Sequence, residues 1–272
     1  MNRLFVVNKP LFVSSNKYLS YIKRKYNVKK AGFSGTLDPF AKGCLIVAFG
    51  QYTRLFQFLN KTPKTYKATI FLGAISDTLD IEGIYKVDCI PKLNINKIED
   101  VLSSFKGKIK QVPPKYSAKK INGQRAYDLA RQGIDVEIKE IDVEIYDIKF
   151  LNYSHPFLSF EAKVSEGTYI RSLGYDICNK LGVYGSLSYL ERLNEGKFYF
   201  DNEKALNPLE YLDLEENFYM NDINNLILGK KLKKEDFKLQ KNGKYIVKFD
   251  NYFAIIEINK QVKYLLNKVK LC

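Results

Sequence analysis

The chain has 272 residues, 46% of them hydrophobic and 27% charged, with a formal net charge of +14 at pH 7. That is globular composition, so intrinsic disorder as the main state is excluded. No uncharged apolar run of about 18 residues exists to cross a membrane as a helix. In chain order, residues 4–8 predict a short strand, and Ser14-Ser15-Asn16 offer capping side chains to a helix near 16–27 with Leu19, Ile22 and Tyr26 on one face. Residues 32–43, GFSGTLDPFAKG, form a Gly/Pro-rich loop, the apolar run 44–49 reads as a buried strand closed by Gly50, and a helix is expected near 53–60. Residues 66–73 predict another strand, 80–83 a turn and 95–105 a helix. A short strand at 116–121 and a helix near 124–132 stopping at Gly133 follow. The alternation over 135–150 and again over 157–165 is that of half-buried strands, and 169–181 predict a helix ending at Gly182. An acidic link at 213–217 leads to a basic tail with strands at 244–249, 252–258 and 262–266. Residues 1–215 therefore read as a mixed α/β domain of catalytic size. Residues 220–272 read as a small β appendage, marginal by itself and expected to pack on the larger domain.

Four cysteines, at 44, 89, 178 and 272, show no CxxC spacing, which leaves neither a zinc ribbon nor a thioredoxin-like motif. The apolar start is broken at Lys9, too soon for a secretory signal, so a cytoplasmic location with reduced thiols is expected. The single histidine, His155, precedes Pro156 in a predicted turn and excludes histidine-rich metal sites. The positive charge is clustered. Residues 1–36 carry eight basic and no acidic side chains, 105–132 a net +7 and 221–272 a net +7, whereas 133–220 carry −9. Separate basic blocks around an acidic remainder suit a long polyanion, RNA or DNA, better than an acidic protein or a membrane surface.

The 32–43 loop is the most informative segment. Its glycines allow tight turns, and Pro39 restricts Asp38 to an extended conformation. From the loop alone, Asp38 either caps a turn or presents a carboxylate to a cleft. The loop lacks the Gly-Lys-Ser/Thr ending of a phosphate-cradling P-loop, having Lys42-Gly43-Cys44 instead.

This loop resembles that of the TruB family of tRNA pseudouridine synthases, and the resemblance continues collinearly over about residues 4–200. It includes Asn8-Lys9-Pro10 with Ser14-Ser15-Asn16, GFSGTLDPFAKGCLIVAFGQYTRL at 32–55, Lys64-Thr65-Tyr66-Lys67, and Ser76-Asp77-Thr78-Leu79-Asp80 with Gly83. VPPKYSAKKINGQRAYDLARQG at 112–133, SEGTYIRSLGYDI at 165–177 and LSYLERLNEGKF at 187–198 complete it. The resemblance implies an α+β fold: a mixed, largely antiparallel central sheet flanked by helices, with a β-rich C-terminal RNA-binding appendage of PUA type. It implies a stand-alone enzyme that isomerises uridine to pseudouridine at position 55 in the T loop of tRNA without metal, ATP or organic cofactor; with no dimer-specific signal in the sequence, a monomer is the default expectation. Asp38 would be the catalytic carboxylate, acting at the sugar as nucleophile or base. Arg171 would pair with it, and Tyr66 would stack on the flipped base and serve in removing the C5 proton. Tyr169 and Leu190 would line the uracil pocket. Lys9, Lys119, Lys120, Arg125 and Arg131 are the candidates for phosphate contacts that position the RNA. The family loop commonly has His where this chain has Phe33, an aromatic that still stacks on or wedges beneath a base. A guide-RNA-dependent synthase and a non-catalytic tRNA binder or folding protein are the rival readings.

Overall fold

The computed structural model describes residues 1–117, 119–121, 123–134 and 137–271, without the side chains of Lys120, Ile121, Arg125 and Arg131. The N-terminal strand β1 (Arg3–Lys9) leads through a turn into α1 (Ser15–Lys25), whose first turn is capped by the Ser14 hydroxyl accepting from the Lys17 amide. Next come β2 (Ala31–Ser34), β3 (Lys42–Phe49) and β4 (Lys64–Leu72). A small hairpin, β5 (Ala74–Ser76) and β6 (Ile84–Val87), precedes α2 (Ile95–Ser103) and β7 (Gly107–Gln111). The two-residue strands β8 (Lys120–Ile121) and β9 (Gln124–Arg125) and helix α3 (Ala126–Arg131) lie before the long hairpin β10 (Ile141–Ser154) and β11 (Phe157–Val164). Helix α4 (Ile170–Leu181) ends at Gly182, which takes the left-handed conformation its position demands. Strands β12 (Gly185–Glu195) and β13 (Phe198–Tyr199) finish the larger sheet. The tail holds β14 (Glu215–Glu216), α5 (Asn224–Ile227), β15 (Gly243–Phe249), β16 (Tyr252–Ile258) and β17 (Val262–Lys270).

The main sheet runs β1-β3-β12-β4-β11-β10-β7, with β2 also on β3 and β13 on β12. Its pairings are antiparallel except β3 with β12, which share only Lys42 and Gly43. Beyond those residues the two strands part, and β2 takes up the freed edge of β3 from Ile46 to Phe49. The loop from Gly35 to Ala41 emerges at this fork.

Hydrophobic patterning explains the layers. Alternate residues of β4, from Tyr66 to Leu72, turn inward with Phe160, Ala162 and Leu187 beneath α2 and α4. α1 covers one face of β1 and β3 through Ile22 against Phe5, Val7 and Val47. The C-terminal sheet, ordered β14-β15-β16-β17, covers the other: Phe253, Ile255 and Leu266 meet Leu4, Val6 and Ile46. The expected mixed, largely antiparallel sheet with flanking helices and a small β-rich C-terminal part is therefore present. The helix expected at 53–60 is not: Gly50–Arg54 form one short 3-10 segment followed by turns. Part of the acidic link, Glu215–Glu216, is a strand paired in parallel with Tyr245–Ile246. Among the described residues, no helix is long and apolar enough to cross a membrane.

Candidate active site

The loop that follows β2 is held at both ends. Leu37, Phe40 and Ala41 are buried, and the Ser15 hydroxyl donates to the Leu37 carbonyl at 2.9 Å and accepts its amide at 3.0 Å. Lys9 secures the other side. Its ammonium group donates to the carbonyls of Pro10 (2.9 Å), Val13 (2.6 Å) and Pro39 (3.3 Å), and its side chain is wholly buried, at 0% exposure. Burial lowers the Lys9 pKa to about 8, against the opposing field of the Asp38 carboxylate. With its neighbours fastened, Asp38 faces the cleft beside Thr36, its side chain 34% exposed.

Arg171, in the first turn of α4, meets Asp38 through Nε at 2.9 Å from Oδ2. The rest of its guanidinium is satisfied inside the protein: Nη1 donates to the Thr78 carbonyl (2.9 Å) and to Asp80 Oδ2 (3.2 Å), and Nη2 to the Tyr116 carbonyl (2.8 Å). Asp80 is fixed in turn by the Thr78 hydroxyl (2.6 Å) and the Glu82 amide (3.0 Å). Arg171 is 5% exposed, so this planar donor set is preorganised and has little freedom to leave Asp38. The Asp38 side chain keeps a third of its surface, yet the carboxyl sits deep enough that burial is the largest influence and pushes its pKa above the ordinary 3.8. Arg171 opposes that rise, Asp80 adds to it and Lys9 opposes it more weakly.

Asp38 and Arg171 form one wall of a cavity of about 300 Å³. Tyr66 and Leu190, from the adjacent strands β4 and β12, line it together with Tyr169, Ser117, Lys119 and the Gly167–Thr168 turn. Burial raises the Tyr169 pKa, and a hydrogen bond with Ser117 works against that shift. Under the cavity lies a second ionic cluster. Glu195, 0% exposed, pairs with Lys64 (3.1 Å) and Arg192 (2.8 Å). Arg192 also donates to the carbonyls of Cys44 and Gly35, both at 2.8 Å, and meets the Tyr66 hydroxyl. Gly35, with φ of +69°, belongs here: a Cβ on it would lie 2.7 Å from Glu195 Oε2. The fork, the Asp38 loop and the cavity wall are thus tied to one buried carboxylate.

Of the residues singled out from the sequence, Asp38, Tyr66, Tyr169, Arg171, Leu190 and Lys119 come together around this cavity. Lys9 does not reach the surface. It is a buried clamp, because the carbonyls of Pro10, Val13 and Pro39 surround its ammonium group, so the phosphate contact expected of it is corrected. Phe33 is half-buried against the aromatic and aliphatic cluster under α1 and is not among the residues lining the cavity. The side chains of Lys120, Arg125 and Arg131 lie outside the described residues. Sequence reasoning assigned no role to Asp80, Lys64, Arg192 or Glu195. The Ser76–Asp80 block contained the signal for Asp80, a carboxylate two residues after a threonine in a turn. Among the described residues, no group of three or more His, Cys, Asp or Glu side chains could hold a metal ion.

The N-terminal domain model of TruB family pseudouridylate synthases matches residues 23–170. A tRNA pseudouridine synthase B of Sulfurovum sp. (strain NBC37-1) is 56% identical over 270 residues, 99% of this chain and 98% of its own. One of Campylobacter jejuni subsp. jejuni serotype O:2 is 50% identical over 273 residues, the whole of both chains. Among solved structures, a chain of a Cbf5-Nop10-Gar1 complex superposes with a TM-score of 0.69 at 21% identity, covering 99% of this chain and 84% of that one, a likeness of fold.

Proposed function

The chain belongs to the TruB family of pseudouridylate synthases and is an enzyme that isomerises uridine to pseudouridine in tRNA; on that premise we propose that its target is position 55 of the T loop and that Asp38 is the catalytic carboxylate. The observation that supports this assignment best is the 2.9 Å Asp38–Arg171 ion pair at the wall of a cavity shared with Tyr66, Tyr169 and Leu190.

The reaction breaks the N1–C1′ bond, turns the uracil and joins C5 to C1′; the C5 proton leaves and N1 takes one up. Ionised Asp38 acts at the sugar, either attacking C1′ or taking the proton from C2′ to release uracil. Arg171 holds the carboxylate ionised and aimed, and Asp80 and the Thr78 and Tyr116 carbonyls hold Arg171. Tyr66 stacks on the flipped base and serves in removing the C5 proton. Tyr169 and Leu190 close the sides of the pocket so that the uracil turns without leaving. Extracting the base from the folded T loop costs a few kcal/mol (roughly), offset by contacts of the basic surface with phosphates. Lys119, at the cavity, is one such contact. Residues 220–272 serve as a PUA-like RNA-binding appendage to the 1–215 catalytic unit; their net charge of +7 and separate sheet support this division.

The test is tritium release from tRNA labelled at C5 of uridine, with no ATP, metal or other RNA added. Release near one per tRNA is expected for the wild type, and none for Asp38→Asn, which should still bind tRNA. Turnover by the asparagine variant would remove Asp38 from its role. Tight binding without any wild-type release would favour a guided enzyme or a binding protein.

A further inference from the structure

Phe12 occupies a conformation that a bulky side chain seldom adopts. Its φ is +58°, in the left-handed region, and the residue is 65% exposed. Neither feature is accounted for by packing, since Phe12 is in none of the hydrophobic clusters. An exposed phenyl ring at such a backbone position is costly twice, in conformation and in hydration.

The location says what function. Residues 10–14 form the turn between β1 and α1. The buried Lys9 ammonium group ties the Pro10 and Val13 carbonyls, on either side of Phe12, to the Pro39 carbonyl of the catalytic loop. Two residues beyond Phe12, Ser14, Ser15 and Asn16 line a second cavity of about 310 Å³ that shares Asp38 and Arg171 with the first. Phe12 is therefore a solvent-facing ring in a turn whose flanking residues are fastened to the Asp38 loop and lead into the lining of this second cavity. The 1–36 segment carries eight basic and no acidic side chains; Lys9 is buried and Arg3 and Lys25 meet Glu203, which leaves Lys17, Lys23, Arg24, Lys29 and Lys30 to suit a polyanion. An aromatic pair, Tyr18 and Tyr21, stacks at 5.8 Å on the adjoining helix α1. An exposed aromatic face on a basic segment suits an unpaired base with its phosphate.

We propose that Phe12 stacks on an unpaired nucleobase of the bound tRNA at the mouth of the cleft, next to the nucleotide drawn in toward Asp38. The assignment rests on tRNA being the substrate. On this account the buried Lys9 contributes to RNA binding indirectly, by fixing the turn that presents the ring.

The test is tRNA binding by filter retention and, in parallel, tritium release, for wild type, Phe12→Gly, Phe12→Asn and Phe12→Tyr. Glycine and asparagine both accept the left-handed conformation, so both variants should melt at or above the wild-type temperature. Both should bind tRNA about fivefold or more weakly, the worth of one lost base–aromatic stack, with release at saturating tRNA within about twofold of wild type. Tyrosine keeps the ring and should bind within about twofold of wild type. Unchanged binding by the glycine and asparagine variants would overturn the proposal. So would weakened binding by all three variants together with lowered melting temperatures, which would make Phe12 a structural residue. Wild type that binds tRNA but releases no tritium would overturn the catalytic reading instead, while the binding ratios still decide on Phe12.

Discussion

Glu195→Gln is the perturbation that tests how the site is supported. The carboxylate is 0% exposed and is shared by Lys64 and Arg192, at 3.1 Å and 2.8 Å. The amide keeps the volume but removes the negative charge, leaving two cations facing a neutral group. Removing one partner of a buried pair costs ~3–5 kcal/mol. The low end applies here, because each cation retains other support. Arg192 keeps the Cys44 and Gly35 carbonyls, and Lys64 keeps Glu166 at 4.0 Å and its place at the cavity. The expected loss is ~3 kcal/mol, which for a chain of this size is roughly 6–12 °C in melting temperature. Activity should fall as well, because Arg192 holds the Gly35 carbonyl at the start of the Asp38 loop and meets the Tyr66 hydroxyl. Thermal unfolding followed by circular dichroism near pH 7, alongside single-turnover tritium release, makes both measurements. The further change Lys64→Met removes one of the stranded cations, so the double variant should recover ~1 kcal/mol or more of stability. A shift under about 2 °C for Glu195→Gln, or no recovery in the double variant, would refute the idea that this carboxylate supports the site.

Three other outcomes follow from the same geometry. Asp38 must be ionised to act and burial raises its pKa, so kcat/KM should fall with acidification around a midpoint above the ordinary 3.8; Arg171→Gln removes the opposing cation and should move that limb higher, and a wild-type midpoint at or below 3.8 would refute the assignment. Gly35→Ala places a methyl 2.7 Å from Glu195 at a φ of +69°, and should lower both melting temperature and turnover; wild-type values in both would show the loop to be more adaptable than its contacts imply. The clustered basic charge predicts tRNA affinity that drops steeply between about 50 and 200 mM salt in a binding titration, and a flat response would remove the electrostatic role.

Much of this protein is legible along the chain because local physics writes it there. Apolar runs mark β1, β3 and β16, alternation marks β11, and the glycine at 182 marks the end of α4. The loop with Asp38 stands out by its glycines and proline, and the resemblance of its sequence supplied Arg171, Tyr66, Tyr169 and Leu190. Strand β12 escaped, although it lies between β3 and β4 in the sheet. Its sequence, GSLSYLERLNE, carries two glutamates, an arginine and an asparagine, and no periodicity announces a buried strand. Arg192, Asn194 and Glu195 are buried because partners arrive from afar: Lys64 for Glu195, the Cys44 and Gly35 carbonyls for Arg192, the Pro63 carbonyl for Asn194. Lys9 shows the same limit in reverse, reading as a surface cation until the Pro39 carbonyl, thirty residues on, is brought to it. Asp80 reaches Arg171 across ninety-one residues of chain. Hydrophobic period and turn chemistry are properties of neighbours in sequence, so the chain alone marks α1 to α4, the long strands other than β12, and the loop that bears the carboxylate. Whether a charged residue faces water or another charge depends on strand register and on where the fork in the sheet opens, and that only the tertiary structure decides.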